Sequence, residues 1–135
     1  MSQNELWITM LGRFDLGWSN GRSFETFTSR VAPKNRAILC YLVLNNRLHL
    51  REELATIFWP DKSEKSAKAN LRVALNALRN VNLAPYLDTQ RPEITFNRRA
   101  PYWCDVQSFE ALVAKNRHQP EPDIHSLKKA VELYQ

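Results

Sequence analysis

Cationic and amide side chains recur at helical spacing between residues 64 and 81, a segment that contains neither Gly nor Pro. At about 100° per residue, its apolar residues share one face: Ala67, Leu71, Ala74, Leu75 and Leu78. The opposite face carries Lys65, Ala69, Arg72, Val73 and Asn76, flanked by Lys68 and Arg79. Arg and Asn form paired hydrogen bonds with base edges, small apolar groups contact thymine methyls, and cations bind phosphates. The segment therefore has the chemistry expected of a DNA-recognition helix.

The distribution of charge supports this prediction. A helix face exposed only to water typically mixes acids with bases, but the segment after Glu64 contains no Asp or Glu. Residues 62 to 99 carry eight Lys or Arg against three Asp or Glu, and the formal net charge of the whole 135-residue chain is +5. A cation surplus gathered on one segment indicates a polyanionic partner. A merely solvated basic helix is the competing interpretation, and it would be preferred if the helix stood alone.

Catalysis, metal binding and cofactor binding have no comparable signal. Glu52 and Glu53 diverge by about 100° on a helix and suit a first turn, where the helix dipole favours anions. The three histidines are isolated from one another and predict surface or loop positions: His49, His118 and His125. The two cysteines are predicted to be reduced, buried thiols, without a zinc-binding pattern: Cys40 and Cys104. We therefore expect a protein that is not an enzyme and has no metal or cofactor.

Composition places the chain among folded globular proteins, with 44% hydrophobic and 24% charged residues. Its length suits one compact domain with a short appendage. No apolar run approaches the roughly 18 to 20 residues of a membrane-spanning helix, and the N-terminus lacks the features of a signal peptide. These observations predict a cytoplasmic protein without a membrane partner.

The elements that position the cationic face begin with a small antiparallel sheet in the first 30 residues, where Asn20-Gly21 is a turn signal. Pro33 predicts the start of a first helix, which buries Ile38, Leu39, Leu42 and Val43. A second, short helix begins near Arg51, stops before Pro60 and is predicted to bury Leu54, Ile57 and Phe58. Ser63 is placed to cap the third helix, which runs from Glu64 to about Val81.

A hairpin is predicted next, in which residues 93–96 pair with residues 102–104 across a 97–101 turn. Asp105 then caps a further helix, and the periodicity from Ile124 to Tyr134 predicts another. The expected fold class is α+β: a winged helix-turn-helix with an N-terminal antiparallel sheet, three helices and a C-terminal hairpin wing, followed by a helical hairpin. The predicted boundary separates residues 1–104 from residues 105–135.

Five more cations extend the candidate interface. Arg98 and Arg99 are predicted at the tip of the wing, where they would reach a phosphate or the minor groove. A merely soluble turn is an equally good interpretation of either residue alone. Three others lie near helix N-termini, which attract phosphate, and are auxiliary candidates: Lys34, Arg36 and Arg51.

Several short motifs resemble those of the Streptomyces antibiotic regulatory protein family, in order and spacing along nearly the whole chain. They are Leu11-Gly12-Arg13-Phe14, residues 36–42 (RAILCYL), residues 51–55 (REELA), Phe58-Trp59-Pro60-Asp61, the segment from Ala67 to Arg79, residues 102–106 (YWCDV) and Phe109-Glu110. Members of this family join an OmpR/PhoB-type winged helix to a helical bacterial transcriptional activator domain. That second domain normally extends beyond the helix that ends near Tyr134, so the resemblance implies a fragment or a reduced protein.

The resemblance implies a four-stranded N-terminal sheet, a third helix in the major groove and a wing on the adjacent backbone. It also implies that the Trp59–Lys62 loop faces RNA polymerase. Family members bind direct repeats near promoters and activate transcription, and we expect a monomer or weak dimer that becomes a dimer on DNA. We expect no receiver domain before the winged helix, and therefore no site for control by aspartyl phosphorylation.

The predicted function is sequence-specific binding of double-stranded DNA in transcription control. The main alternative is a winged-helix protein-interaction module without specific DNA binding, because fold alone does not fix function. An apolar exposed patch in place of the cationic face would favour it. RNA binding is a further alternative, which would need exposed aromatic residues such as Tyr102 and Trp103 for base stacking.

Overall fold

The computed structural model describes residues 4–89 and 92–117, and it shows the mixed fold of sheets and helices that the sequence predicts. The described chain divides into two compact units. The first unit comprises residues 4–28 and 101–117, and the second comprises residues 29–89 and 92–100. The second predicted C-terminal helix, near residues 124–134, lies outside the described residues.

Strands and helices follow one another along the described chain in the order β1 (Glu5–Thr9), β2 (Asp15–Ser19), β3 (Phe24–Thr26), α1 (Pro33–Leu44), β4 (His49–Leu50), α2 (Arg51–Phe58), α3 (Glu64–Leu78), β5 (Leu87–Asp88), β6 (Glu93–Phe96), β7 (Tyr102–Cys104) and α4 (Asp105–Arg117). Three short helical turns complete the series: Thr28–Arg30, Arg79–Leu83 and Ala84–Tyr86.

The first unit is built on a four-stranded sheet with the order β3-β2-β1-β7. Strand β1 alternates so that Leu6 and Ile8 are buried, and it pairs with β2 in antiparallel register. The predicted Asn20-Gly21 turn joins β2 to β3, and Gly21 has a φ of 89°, a conformation that costs glycine little. The antiparallel hairpins expected in the first 30 residues are therefore present.

The fourth strand of this sheet is supplied by the C-terminal side of the chain. Strand β7 lies parallel to β1, with Leu6 opposite Tyr102 and Ile8 opposite Cys104. The resemblance implied four strands within the N-terminal region, but that region forms three. A parallel partner needs a long connection, and here the connection is the whole second unit in chain order.

Helix α4 begins directly after β7, as predicted, but Asp105 is its first residue, and the carboxylate binds another loop instead of capping the helix as expected. Its carboxylate accepts hydrogen bonds from the backbone N–H groups of Met10 and Leu11, with N···O distances of 2.9 to 3.0 Å. The residue is only 2% exposed. The buried charge is thus satisfied by the loop that follows β1, as buried charges require.

The second unit contains the three helices that the sequence predicts between residues 33 and 78. Helix α1 starts at Pro33 and buries Ile38, Leu39, Leu42 and Val43, which confirms the expected face. Helix α2 ends at Phe58, but its buried residues are Leu54 and Ala55, whereas Ile57 is 44% exposed and Phe58 is half-buried. The prediction that Ile57 and Phe58 are buried was wrong, because an eight-residue helix turns only a narrow stripe toward its neighbours.

His49 is the other clear correction in this unit. It was predicted at a surface or loop position, but its side chain is fully buried in β4. Its ring nitrogen Nε2 lies 3.1 Å from the carbonyl oxygen of Asn45, and its ring packs beside Tyr41. The short strand β4 pairs with β6, with His49 opposite Ile94, and this pairing draws the histidine into the core. His118 and His125 lie outside the described residues.

Strand β6 was predicted to form a hairpin with residues 102–104, and that pairing is wrong. It is the central strand of a three-stranded sheet with the order β4-β6-β5, so both of its edges are already paired. The hairpin of this unit is therefore formed by β5 and β6, which pair in antiparallel register. Residues 97–101 do not form its tip, and Ala100 instead closes a turn on the carbonyl oxygen of Asn97.

Candidate nucleic-acid interface

Helix α3 is held by its cap and by one apolar face. The hydroxyl oxygen of Ser63 accepts a hydrogen bond from the backbone N–H of Ser66 at 3.2 Å, so the predicted cap is confirmed. The buried residues of the helix are the five that the periodicity identifies: Ala67, Leu71, Ala74, Leu75 and Leu78. Burial of this stripe fixes the rotation of the helix and turns the opposite face outward.

The end of α3 differs from the predicted end near Val81. Regular α-helix ends at Leu78, and a π turn follows over Arg79–Leu83. Asn82 has a φ of 70°, a left-handed conformation that asparagine tolerates better than most residues. The chain therefore leaves the helix axis soon after Arg79 and buries Leu83.

The outward face of α3 presents the predicted group of side chains together. Lys65, Ala69, Arg72, Val73 and Asn76 are all exposed, and Val73 is 68% exposed. Val73 is therefore an apolar side chain that the fold of this chain leaves in water. Two cations, one amide and two small apolar groups thus share one solvent-facing helix surface.

Lys68 lies beside this surface but already has acidic partners. Its Nζ is 3.3 Å from carboxylate oxygens of both Glu52 and Glu64. These hydrogen bonds raise the pKa of Lys68, and the pKa of Glu52 is lowered first by its own backbone N–H and then by Lys68. Lys68 therefore links α2 to α3 within the folded chain, a contact that was not predicted from the sequence.

Arg79 is half-buried and is held by two partners. Its Nη1 donates to Oδ1 of Asn76 at 2.9 Å, and its Nη2 donates to the hydroxyl of Thr89 at the end of β5. The carbonyl oxygen of Thr89 also accepts a hydrogen bond of 3.1 Å from Arg51. Through Thr89, Arg51 of α2 and Arg79 at the end of α3 thus connect the β5–β6 hairpin to these two helices. No pattern in the sequence indicated Thr89, because its partners Arg79 and Arg51 lie 10 and 38 residues away, at neither helical nor strand spacing.

The auxiliary cations of α1 bind backbone carbonyl groups. Lys34 donates to the carbonyl oxygen of Phe58 at 2.8 Å and lies 5.0 Å from the centre of the Trp59 ring. Arg36 donates through Nε to the carbonyl oxygen of Val31 at 2.7 Å. Both side chains thus have structural partners at helix ends.

Arg98 and Arg99 do not lie at the tip of a hairpin. Arg98 donates to the carbonyl oxygens of Leu42 and Val43 at 3.1 and 2.7 Å, next to the C-terminal end of α1. Arg99 is exposed, and it borders a groove of about 580 Å³ that is also lined by Arg79 and Thr89. The wing position predicted for both arginines is therefore corrected, because the turn that carries them follows β6 and does not join the hairpin strands.

Metal-binding and membrane-spanning features are not found in the described part of the chain. Residues 4–89 and 92–117 contain no group of three His, Cys, Asp or Glu side chains arranged to hold a metal ion. Among the same residues, no helix combines the length and the apolar character needed to cross a bilayer. Of the two cysteines, Cys104 is buried, which raises the pKa of its thiol, and Cys40 is half-buried.

Comparison with known proteins supports the fold. No protein-family model and no curated protein sequence matches this chain. The structure of Mycobacterium tuberculosis EmbR, solved in complex with a low affinity phosphopeptide, is similar with a TM-score of 0.72 over 98% of this chain. The two sequences are 20% identical, and the match spans 37% of the EmbR chain. The chain thus has the fold of little more than a third of EmbR.

Proposed function

We propose that this chain is the sequence-specific DNA-binding part of a transcription regulator and that α3 enters the major groove. The observation that carries the proposal is the exposed face of α3, which holds Lys65, Arg72 and Asn76 beside Ala69 and Val73 and contains no carboxylate. Cations bind phosphates, while Arg and Asn distinguish base edges and the two apolar groups suit thymine methyls. The proposal involves no catalytic step and no cofactor.

The surrounding elements support this arrangement. Helices α2 and α3 are followed by the β5–β6 hairpin, which is the order of a winged helix-turn-helix, and we assign the wing to this hairpin. The fold likeness to EmbR is consistent with the assignment. The side chains of Lys34, Arg36, Arg51 and Arg79 have partners within the chain, so base recognition rests on α3.

The resemblance noted in the sequence extends the proposal to promoter DNA. Under it, the chain binds direct repeats as a dimer on DNA and activates transcription. The loop from Trp59 to Lys62 then faces RNA polymerase, on the side of α2 where Lys34 packs against the Trp59 ring. These assignments rest on the family pattern.

Arg72→Ala tests the proposal directly. A binding site is first selected from random duplexes, and fluorescence anisotropy then measures binding to that site and to a scrambled duplex at several salt concentrations. We expect the variant to lose about 1 to 3 kcal/mol of binding free energy on the selected site. Its loss on scrambled DNA should be much smaller, because that binding depends on phosphates alone.

Arg22→Ala is the matched control, since it removes one exposed arginine from the β2–β3 turn. It should change binding to both duplexes little and equally. Equal losses for Arg72→Ala on both duplexes would contradict base recognition. If random duplexes yield no selected site, the protein-interaction module becomes the better explanation.

A further inference from the structure

The amide of Asn76 is oriented by a hydrogen bond from Arg79. Its Oδ1 accepts the hydrogen bond of 2.9 Å from Nη1 of Arg79. A guanidinium group has only donors, so the oxygen of the amide must face Arg79 and the –NH2 group must face away from it. Asn76 itself is exposed on the outward face of α3. The end of the amide that is directed away from Arg79 is therefore a hydrogen-bond donor.

Arg79 is itself held from a second side. Its Nη2 donates to the hydroxyl of Thr89, whose carbonyl oxygen accepts from Arg51. The guanidinium is half-buried between the end of α3 and the β5–β6 hairpin. The planar guanidinium of Arg79 makes directional hydrogen bonds to two partners, so it loses little further conformational freedom when DNA binds. Reorienting the Asn76 amide would break a charge-assisted bond at this junction.

The major-groove edges of the bases respond differently to such a donor. Bidentate recognition of adenine by Asn needs the amide oxygen to accept from N6 while the nitrogen donates to N7. Guanine instead offers two acceptors, O6 and N7, and cytosine offers only a donor. With its oxygen directed to Arg79, Asn76 matches guanine and is poorly placed for the bidentate contact with adenine.

We propose that Arg79 is a positioning residue that sets the base preference of Asn76, so that Asn76 selects guanine over adenine. This inference rests on the proposed function, because it names the base chemistry of the same helix. It also assigns the β5–β6 hairpin a part in specificity, since Thr89 holds Arg79 in the orientation that fixes the amide.

Base-substitution binding measures the effect. The base pair that Asn76 contacts is identified first. It is the position of the selected site at which the wild type discriminates between bases and Asn76→Ala does not. At that position the wild type should prefer guanine over adenine by about tenfold or more. Arg79→Met should reduce this ratio at least severalfold. Lys65→Met is the control, because it removes one cation from the same helix. It should weaken binding equally to the four duplexes that carry each of the four base pairs at this position.

Asn76→Asp provides a second test that keeps the pair with Arg79. One carboxylate oxygen still accepts from Arg79, and the other presents an acceptor to the groove. The preferred base at the same position should therefore change from guanine to cytosine, whose N4 amino group donates. Thermal unfolding verifies that each variant is folded. If Arg79→Met does not fold, the base preference of Asn76→Asp tests the inference by itself.

Three results would overturn the inference while leaving the proposed function intact. They are a wild-type preference for adenine at the Asn76 position, an unchanged preference in Arg79→Met, and a selected site at which Asn76→Ala alters no position. A wild-type chain that selects no site at all would overturn both proposals together.

Discussion

The guanidinium of Arg98 binds three carbonyl oxygens at the end of α1 and in β6. It donates to Leu42, Val43 and Phe96 at distances between 2.7 and 3.2 Å. Carbonyl groups at a helix C-terminus lack partners within the helix, and a cation there is also favoured by the helix dipole. At the scale of single residues, this arginine therefore stabilises the fold.

Arg98→Ala should lower the free energy of unfolding by about 2 to 4 kcal/mol, because it removes charge-assisted hydrogen bonds from partly buried carbonyl groups. Urea unfolding followed by circular dichroism measures the change. Arg99→Ala is the control, because the side chain of Arg99 is exposed. Its free energy of unfolding should stay within about 0.5 kcal/mol of the wild type. Equal stability of the two variants would show that the carbonyl contacts of Arg98 contribute nothing.

The sequence was informative about which residues of α3 face outward but not about the partners of the cations. The faces follow from a period of about 3.6 residues, which is local information. Arg98 and Leu42 are 56 residues apart, and Lys34 and Phe58 are 24 residues apart. A side chain that ends on a backbone carbonyl group leaves no residue-type signal at its partner, so such contacts appear only in the folded chain.

At the scale of elements, the start of α3 depends on Ser63, which satisfies one of the backbone N–H groups that a helix leaves without an internal partner. Ser63→Ala should cost about 1 kcal/mol of unfolding free energy. Thermal or urea unfolding provides the measurement. Ser66→Ala removes a hydroxyl group from the same turn while leaving the backbone donor in place, and it should not destabilise. The cap would have no energetic role if both variants kept wild-type stability.

Helices and turns could be predicted closely, whereas strand pairing could not. Pro33, Ser63 and the periodicity between them are local signals, and α1, α2 and α3 begin where these signals indicate. Strand β6 has the alternation of a half-buried strand, but alternation does not identify its neighbours. Proximity in sequence favoured β7 as its partner, and the structure pairs it with β4 and β5.

At the scale of the whole chain, Asp105 links residues that are far apart in sequence. Its carboxylate satisfies the N–H groups of Met10 and Leu11, which are 95 and 94 residues away. Asp105→Ala would leave these groups without that partner, and we expect a loss of about 2 to 5 kcal/mol in unfolding free energy. Glu110→Ala, which removes an exposed carboxylate from α4, is the control for charge and helix propensity. A loss no larger than that of Glu110→Ala in urea unfolding would contradict a stabilising role for the buried carboxylate.

The parallel pairing of β7 with β1 has a consequence for synthesis of the chain on the ribosome. Strand β1 is made early, but the strand that covers its second edge emerges only after the entire second unit has been translated. Until then the nascent chain presents an unpaired strand edge, which can pair with other chains. Contacts of such long sequence separation also form late, because loop closure must precede them. Translation speed through residues 29–100 therefore sets how long this edge is exposed in the cell.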